Sequence, residues 1–441
     1  MSNRFQIPSS GLSRRSILKN GAAAAGTAAL IQAVKAAFPA GAFAATKGPE
    51  TTKAILGYIA LTDAAPLIIA KEKGIFAKYG MPDVDVAKQA SWGATRDNLT
   101  LGSERNGIDG AHILSPLPYL MSAGKVTQNN VPVPIYILAR LNYDCQAISI
   151  SNAYKDLKIG LDASPLKAAF EKKKAAGQTV NVAMTFPGGT HDVWLRYWLA
   201  AGGIDPDKDV STIVVPPPQM VANMKVGTMD CFCVCEPWNL QLIHQNIGYT
   251  AITTGEIWDK HPEKSLGMRA AFVDKYPNAA KAILMATMEA QQWCEKMENR
   301  EETAAICAKR QWINCPVEDV TDRMKGKFDY GIPDKVVEHS PYVMRYWADQ
   351  ASYPFQSHDQ WFLTEDTRWG KYEIGFDTKA LIKKVNREDL WRDAAKTLGV
   401  AAADIPASTS RGVEKFFDGK VFDPANPAAY LKSLAIKRVE V

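Results

Sequence analysis

The sequence predicts an α/β fold of two lobes, the second inserted into the first. Three observations carry that expectation. The chain has 441 residues, more than one compact domain usually holds. Short strand-like apolar runs alternate with longer runs of helical spacing, the pattern of βαβ units around a mostly parallel sheet. The alternation comes in two series that divide near Asp144. Lobe I is expected over 45–144 and 265–441, and lobe II over 145–264. Two crossings between lobes leave a cleft, a geometry suited to hinge closure on a small ligand.

In the first series "AILGYIAL" reads as a strand. "DAAPLIIAKEKGIFAKYG" reads as one helix, with Asp63 as its cap, Pro66 near its first position and Gly80 closing it. "VDVAKQ" is the next strand, and "SWGATRDNLTLGS" enters a helix at Trp92, flanked by Ser91 and Gly93. "GIDGAHIL" and "VPIYILARL" add two strands joined by short loops.

The second series holds five strand-like runs, "QAISIS", "KIGLDA", "VNVAMTF", "STIVVPP" and "MDCFCVC", spaced by helices such as "DVWLRYWLAAGG". "EKKKAAGQ" reads as a solvated helix end. After "GYTAITTG" the chain turns helical, with "NAAKAILMATMEAQQWCEKM" packing on a sheet. The tail from about Pro354, rich in Pro, Gly and aromatic residues, is expected to wrap over the first lobe. Cys231, Cys233 and Cys235 alternate, which on a strand places them on one face. They read as small core hydrophobes, since a thiolate metal site needs a fourth ligand that the local sequence does not offer.

The amino terminus carries Ser13-Arg14-Arg15-Ser16-Ile17-Leu18-Lys19, a twin-arginine export signal, and ends its Ala/Gly-rich stretch in Ala42-Phe43-Ala44, a small-x-small cleavage site. Residues 1–44 therefore read as a signal peptide, and the destination is the periplasm. The formal net charge of +5 resides in that segment. The mature chain is balanced, so no basic face for nucleic acid or membrane is implied.

No His-Glu-x-x-His, Cys-x-x-Cys, Gly-x-Ser-x-Gly or Walker-type motif is present. The informative stretch is "FPGGTHDVW", a strand-to-helix turn. Its glycines let backbone approach a ligand, and the free amides of a helix N-terminus suit an anion. Gly189 and Thr190 belong to that set, with the ring of His191 beside them. Asp192 reads as a first-turn acid facing away. A plain helix-capping turn with an incidental histidine accounts for the same residues. In the first lobe, Trp92 offers an indole N–H, a donor only.

"LTDAAPLIIAKEKG", "KQASWGATRDN", "AMTFPGGTHDVWLRYWLAAGG", "HPEKSLGMRA" and "SYPFQSHDQWFLTE" together resemble the nitrate-binding branch of the nitrate/bicarbonate solute-binding proteins of ABC transporters, from about Thr52 onward. The resemblance implies a type II periplasmic-binding-protein clamp, the Venus-flytrap architecture. It also implies delivery of nitrate, or nitrite, to a permease driven by an ATPase, by a monomer with no catalytic residue, cofactor, metal or nucleic acid. Carried over by motif, the nitrate contacts are Trp92, Gln146, His191 and Lys264, beside Gly189 and Thr190. Nitrate has three acceptor oxygens and no proton to give, so a pocket of donors only is expected, with Lys264 compensating its charge. The bicarbonate branch carries an acid where Lys264 stands and lacks the histidine at 191. A bicarbonate binder, a cytoplasmic nitrate sensor, and an enzyme using the "CFCVC" strand are the competing readings.

Overall fold

In the computed structural model, which describes residues 48–333 and 335–440, the first apolar run forms β1 (Lys53–Tyr58). The segment 1–44, read as a signal peptide, lies outside the described residues. After β1 the chain makes a tight turn at Thr62–Ala64 and enters α1 (Ala65–Glu72), with Pro66 in its first turn. The single helix expected to run to Gly80 is broken: Gly74 takes a φ of 68°, and a separate short helix spans Ile75–Lys78. Asp63 does not cap it. No side chain caps α1, and Asp63 is fully buried.

β2 (Asp83–Lys88) pairs parallel with β1. α2 (Trp92–Leu101) is capped by Ser91, whose Oγ accepts the Ala94 amide at 3.1 Å. β3 (Gly110–Leu114) leads through a helix not foreseen in the sequence, α3 (Leu117–Ser122), to β4 (Ile135–Arg140). The second lobe is built from β5 (Gln146–Ser151), β6 (Asn181–Met184), α4 (Thr190–Ala201), β7 (Ser211–Val214), β8 (Cys231–Cys235) and β9 (Gly248–Thr253). "KIGLDA" is no strand: Lys158 sits in the left-handed region at φ 47°, and the run stays irregular. β10 (Lys264–Arg269) returns to the first sheet.

The two sheets have the orders β2-β1-β3-β10-β4 and β7-β6-β8-β5-β9. Each contains a strand antiparallel to both neighbours, and in each case it is the first strand after a crossing. β10 runs against β3 and β4, and β5 against β8 and β9. The sequence expectation of mostly parallel pairing therefore fails at the strands next to the crossings, where the chain enters a sheet from its far end. Registers Lys264↔Leu114 and Gln146↔Cys235 fix where those strands begin.

α5 (Pro277–Glu295) packs on α1. The tail that follows, with α6 (Gln356–Arg368) and α7 (Glu388–Leu398), divides its packing. α7 lies on β4 and α5. Trp361 of α6, with Phe416, Phe422 and Tyr430, instead enters the core of the second sheet, Trp361 stacking on Trp194 at 5.0 Å. α4 presents Trp194 and Tyr197 to Trp361 and Phe416 of the tail, so the tail straps both lobes. Cys231 and Cys233 are free and buried, whereas Cys235 is joined to Cys145 in a disulfide. Among the described residues no helix is long and apolar enough to cross a membrane.

Candidate anion-binding site

Four chain starts converge between the sheets, each set by a local signal. Trp92 opens α2 because Ser91 caps it. Gln146 opens β5 immediately after the disulfide-bonded Cys145. Gly189, at the N-cap of α4, puts Thr190 and His191 in its first turn. Lys264 opens β10 opposite Leu114. Trp92, Gln146, Thr190, His191 and Lys264 are all at most 1% exposed, and Gly189 is buried. A Cβ at Gly189 would overlap Leu114, so glycine permits the close approach of the two lobes there.

The structure gathers these residues around Lys264. Its Nζ lies 6.0 Å from the centre of the Trp92 ring. The Trp92 indole nitrogen is buried without a partner. Gln146 Nε2 donates to Thr190 Oγ at 2.8 Å, tying the start of β5 to the start of α4. His191 Nδ1 meets Thr185 Oγ at 2.6 Å, and its Nε2 is buried without a partner. Burial first, then the Lys264 charge, hold the His191 ring well below its usual pKa, so it is neutral. In the tautomer where Thr185 donates to Nδ1, the ring carries its proton on Nε2. The first three amides of α4 have no acceptor within their helix. Asp192 faces away, with Oδ1 accepting from Arg196 Nε at 2.7 Å and Oδ2 from the Gly188 amide at 2.8 Å.

A pocket of donors only is not what surrounds Lys264. Its ammonium contacts Asp63 Oδ2 at 2.7 Å and Glu263 Oε2 at 3.3 Å, all three side chains having zero exposure. An ammonium stripped of water needs counter-charge in the fold itself. Burial pushes the Asp63 carboxyl up, but Lys264 and His112 outweigh it and hold it well below the usual range. His112 Nε2 lies 2.6 Å from Asp63 Oδ1, and its own pKa is lowered, chiefly by burial. The Trp92 ring rests against His112 at 5.3 Å. On the other side Trp194 Nε1 donates to Glu263 Oε1 at 2.8 Å, and His261 Nδ1 is 3.1 Å from the same oxygen. The sequence reading took Asp63 for a cap and passed over Glu263, although it stands beside Lys264 in "HPEK".

Two start-of-element donors beside a buried cation form a candidate site for a small anion, and the sequence places the chain in a known group. A model of the NMT1-like family matches residues 47–308. The chain belongs to the NMT1-like family. One relative of this NMT1-like chain is the nitrate/nitrite binding protein NrtA of Synechocystis sp., 62% identical over 89% of this chain and 87% of that protein. The crystal structure of the periplasmic nitrate-binding protein NrtA from Synechocystis superposes with a TM-score of 0.86 at 62% identity, over 88% of this chain and all of that one. The fold is thus the α/β two-lobed clamp expected from the sequence. The bicarbonate-binding protein CmpA of Synechococcus elongatus is more distant, 44% identical over 87% of this chain and 86% of that protein. The nitrate import ATP-binding protein NrtC of Synechocystis sp. is 34% identical over 89% of this chain, a stretch that spans 56% of that longer protein.

Proposed function

We propose that this NMT1-like chain is the solute-binding subunit of an ABC importer for nitrate, with nitrite as a second ligand on the same donors. It binds and delivers; it is not an enzyme. The observation that carries the reading is the pair of buried ring nitrogens, Trp92 Nε1 and His191 Nε2, left without partners beside the Lys264 ammonium. A buried donor left unpaired is costly, and two of them in one cluster with a cation are suited to a shared acceptor. Nitrate, planar and without a proton to donate, matches them. The higher identity to the nitrate/nitrite binding relative than to the bicarbonate-binding one supports the same choice.

The mechanism is hinge closure. Lobe I (45–144 and 265–441) brings Trp92, lobe II (145–264) brings Gln146, Gly189, Thr190 and His191, and Lys264 stands at the boundary between them. The anion favours the closed form only through contacts it makes better there. The closed form in turn presents the surface that a permease and its ATPase recognise. Export through the twin-arginine signal and action in the periplasm as a monomer complete the reading.

Calorimetric titration of the mature protein with nitrate, nitrite and bicarbonate, with and without calcium, tests it. Nitrate is expected to bind without calcium and bicarbonate not to bind. Calcium-dependent bicarbonate binding with no nitrate response would replace this reading. Lys264→Glu is expected to abolish nitrate binding, and unchanged affinity would refute the role of the charge.

A further inference from the structure

The buried cluster under the anion site holds one cation and two carboxyls, a charge count that the binding of a monoanion must respect. Lys264 lies 2.7 Å from Asp63 and 3.3 Å from Glu263, and none of the three is exposed. Asp63 alone neutralises Lys264. If Glu263 is also ionised, the dry cluster is net negative before any ligand arrives, and a buried monoanion is repelled by it. We propose that Glu263 is the proton-holding residue that sets the charge of this site, so that nitrate binds only with its carboxyl protonated and, where that carboxyl is ionised beforehand, brings one proton with it. The inference rests on the nitrate reading above and deepens it.

The geometry singles out Glu263 among the groups that could hold that proton. Its Oε1 accepts Trp194 Nε1 at 2.8 Å, and Trp194 sits on α4, whose first turn carries Thr190 and His191. Its backbone is tied to the other side of the cleft: the Ser115 amide donates to its carbonyl at 3.2 Å. The residue therefore joins the two walls of the site, by its backbone on one side and its carboxyl on the other. Asp63 has the shorter contact to the shared ammonium, Lys264 at 2.7 Å, with His112 at 2.6 Å, whereas Glu263 meets that ammonium at 3.3 Å and has neutral partners otherwise, the Trp194 indole and the His261 ring. The other titratable groups around it are His261 at 3.1 Å, with Asp144 behind it 3.6 Å from His261 Nε2, and, within electrostatic reach, Cys233; His112 and His191 lie within reach of the Lys264 and Asp63 it shares the cluster with. His261 is pushed down to about 3, chiefly by burial. The Cys233 thiol is pushed well up, chiefly by burial. His112 is lowered too, so neither the rings nor the thiol supplies a second charge near neutrality; Asp144 is also raised to about 8, chiefly by burial, but stands behind His261 and makes no contact with Lys264. Burial raises Glu263 itself to about 8; Lys264 opposes the rise and Asp63 adds to it. Below that pH the carboxyl is neutral and the cluster is balanced. Above it, each nitrate bound must bring a proton from solvent.

The test is calorimetry of wild type with nitrate across pH 6 to 9.5, repeated in buffers of different ionisation enthalpy. Affinity is expected to be flat below about pH 7 and to fall by about tenfold per pH unit above about 8, with proton uptake rising toward one. Glu263→Gln, which mimics the neutral acid, is expected to keep the neutral-pH affinity at pH 9 and to take up no proton. A wild-type affinity that is flat to pH 9.5 with no proton uptake would overturn the proposal without needing the variant. A Gln variant that loses affinity with pH as steeply as wild type would overturn it as well, by moving the titration to another group. Wild type that binds no nitrate even at pH 6 would instead sink the nitrate reading, and this inference with it.

Discussion

Lys264 serves two masters, and substitution can separate them. Its ammonium balances Asp63 inside the fold and, in the proposed function, compensates the charge of the anion. Lys264→Ala leaves the Asp63 carboxylate buried with only His112 beside it, and breaking a buried pair costs about 3–5 kcal/mol. Urea unfolding of Lys264→Ala should show a loss of that order. Adding Asp63→Asn should recover much of it, because the orphaned charge is gone, yet nitrate binding should stay lost in both variants. If the double variant regains nitrate affinity, Lys264 acts only as scaffold. The pH dependence carries its own sign. Asp63 is held below its unfolded value by Lys264 and His112, so its contribution to stability is complete above about pH 4 and is lost as pH falls toward its folded value. Glu263 is the opposite case: raised to about 8, it favours the fold most below about pH 4.5, and stability drains away as pH climbs to 8. Unfolding midpoints against pH should lose the fall below about pH 4 in Asp63→Asn, and the decline between about pH 4.5 and 8 in Glu263→Gln.

Among the elements, the entrance to α4 does most to join the lobes at the site. Gly189 is in ordinary extended backbone, φ −80° and ψ 170°, so alanine meets no backbone strain there. Its Cβ would nevertheless overlap Leu114 across the cleft. Gly189→Ala should therefore hold the lobes apart, weakening nitrate by at least about tenfold, or 1.4 kcal/mol. The stability of the unliganded protein should change less than that, and equal losses in calorimetry and in melting would mean that Leu114 simply disturbs packing. This entrance was legible in the sequence, because glycines between an apolar strand and an amphipathic run mark a turn into a helix. So were the helix entry at Trp92, and β5 and β8 as short apolar runs. Other elements were not. The break at Gly74 looks like a tolerated helical glycine until its left-handed φ is seen. "KIGLDA" has strand composition but no neighbour to pair with. The partnership of Asp63 and Glu263 with Lys264 is set by tertiary contact between distant segments, which local pattern cannot carry. Strand alternation would even put Glu263 and Lys264 on opposite faces. Glu263 escapes that rule because it precedes β10.

At the scale of the whole molecule, the site is sealed. The residues that line it are buried, and bonds cross the cleft beside it: the Thr62 amide to the Glu236 carbonyl at 2.9 Å, and Trp238 Nε1 to the Ala60 carbonyl at 3.1 Å. An anion enters such a site only from an opened form, so ligand and closure must be linked. Nitrate that binds the closed fold and not the unfolded chain stabilises by RT ln(1 + [L]/Kd), about 2.7 kcal/mol at a hundredfold excess over Kd. Spread over the unfolding entropy of nearly 400 residues, that raises the melting temperature by about 3 °C. Small-angle scattering on the same samples should show a smaller radius of gyration with nitrate than without it, since an open clamp is the longer object. The two readouts discriminate between ways of admitting the ligand. A melting shift with unchanged scattering would mean that nitrate reaches Lys264 through local opening at the cleft, without rotation of the lobes. A contraction that disappears in Gly189→Ala while the melting shift shrinks would tie the rotation to the contact between Gly189 and Leu114.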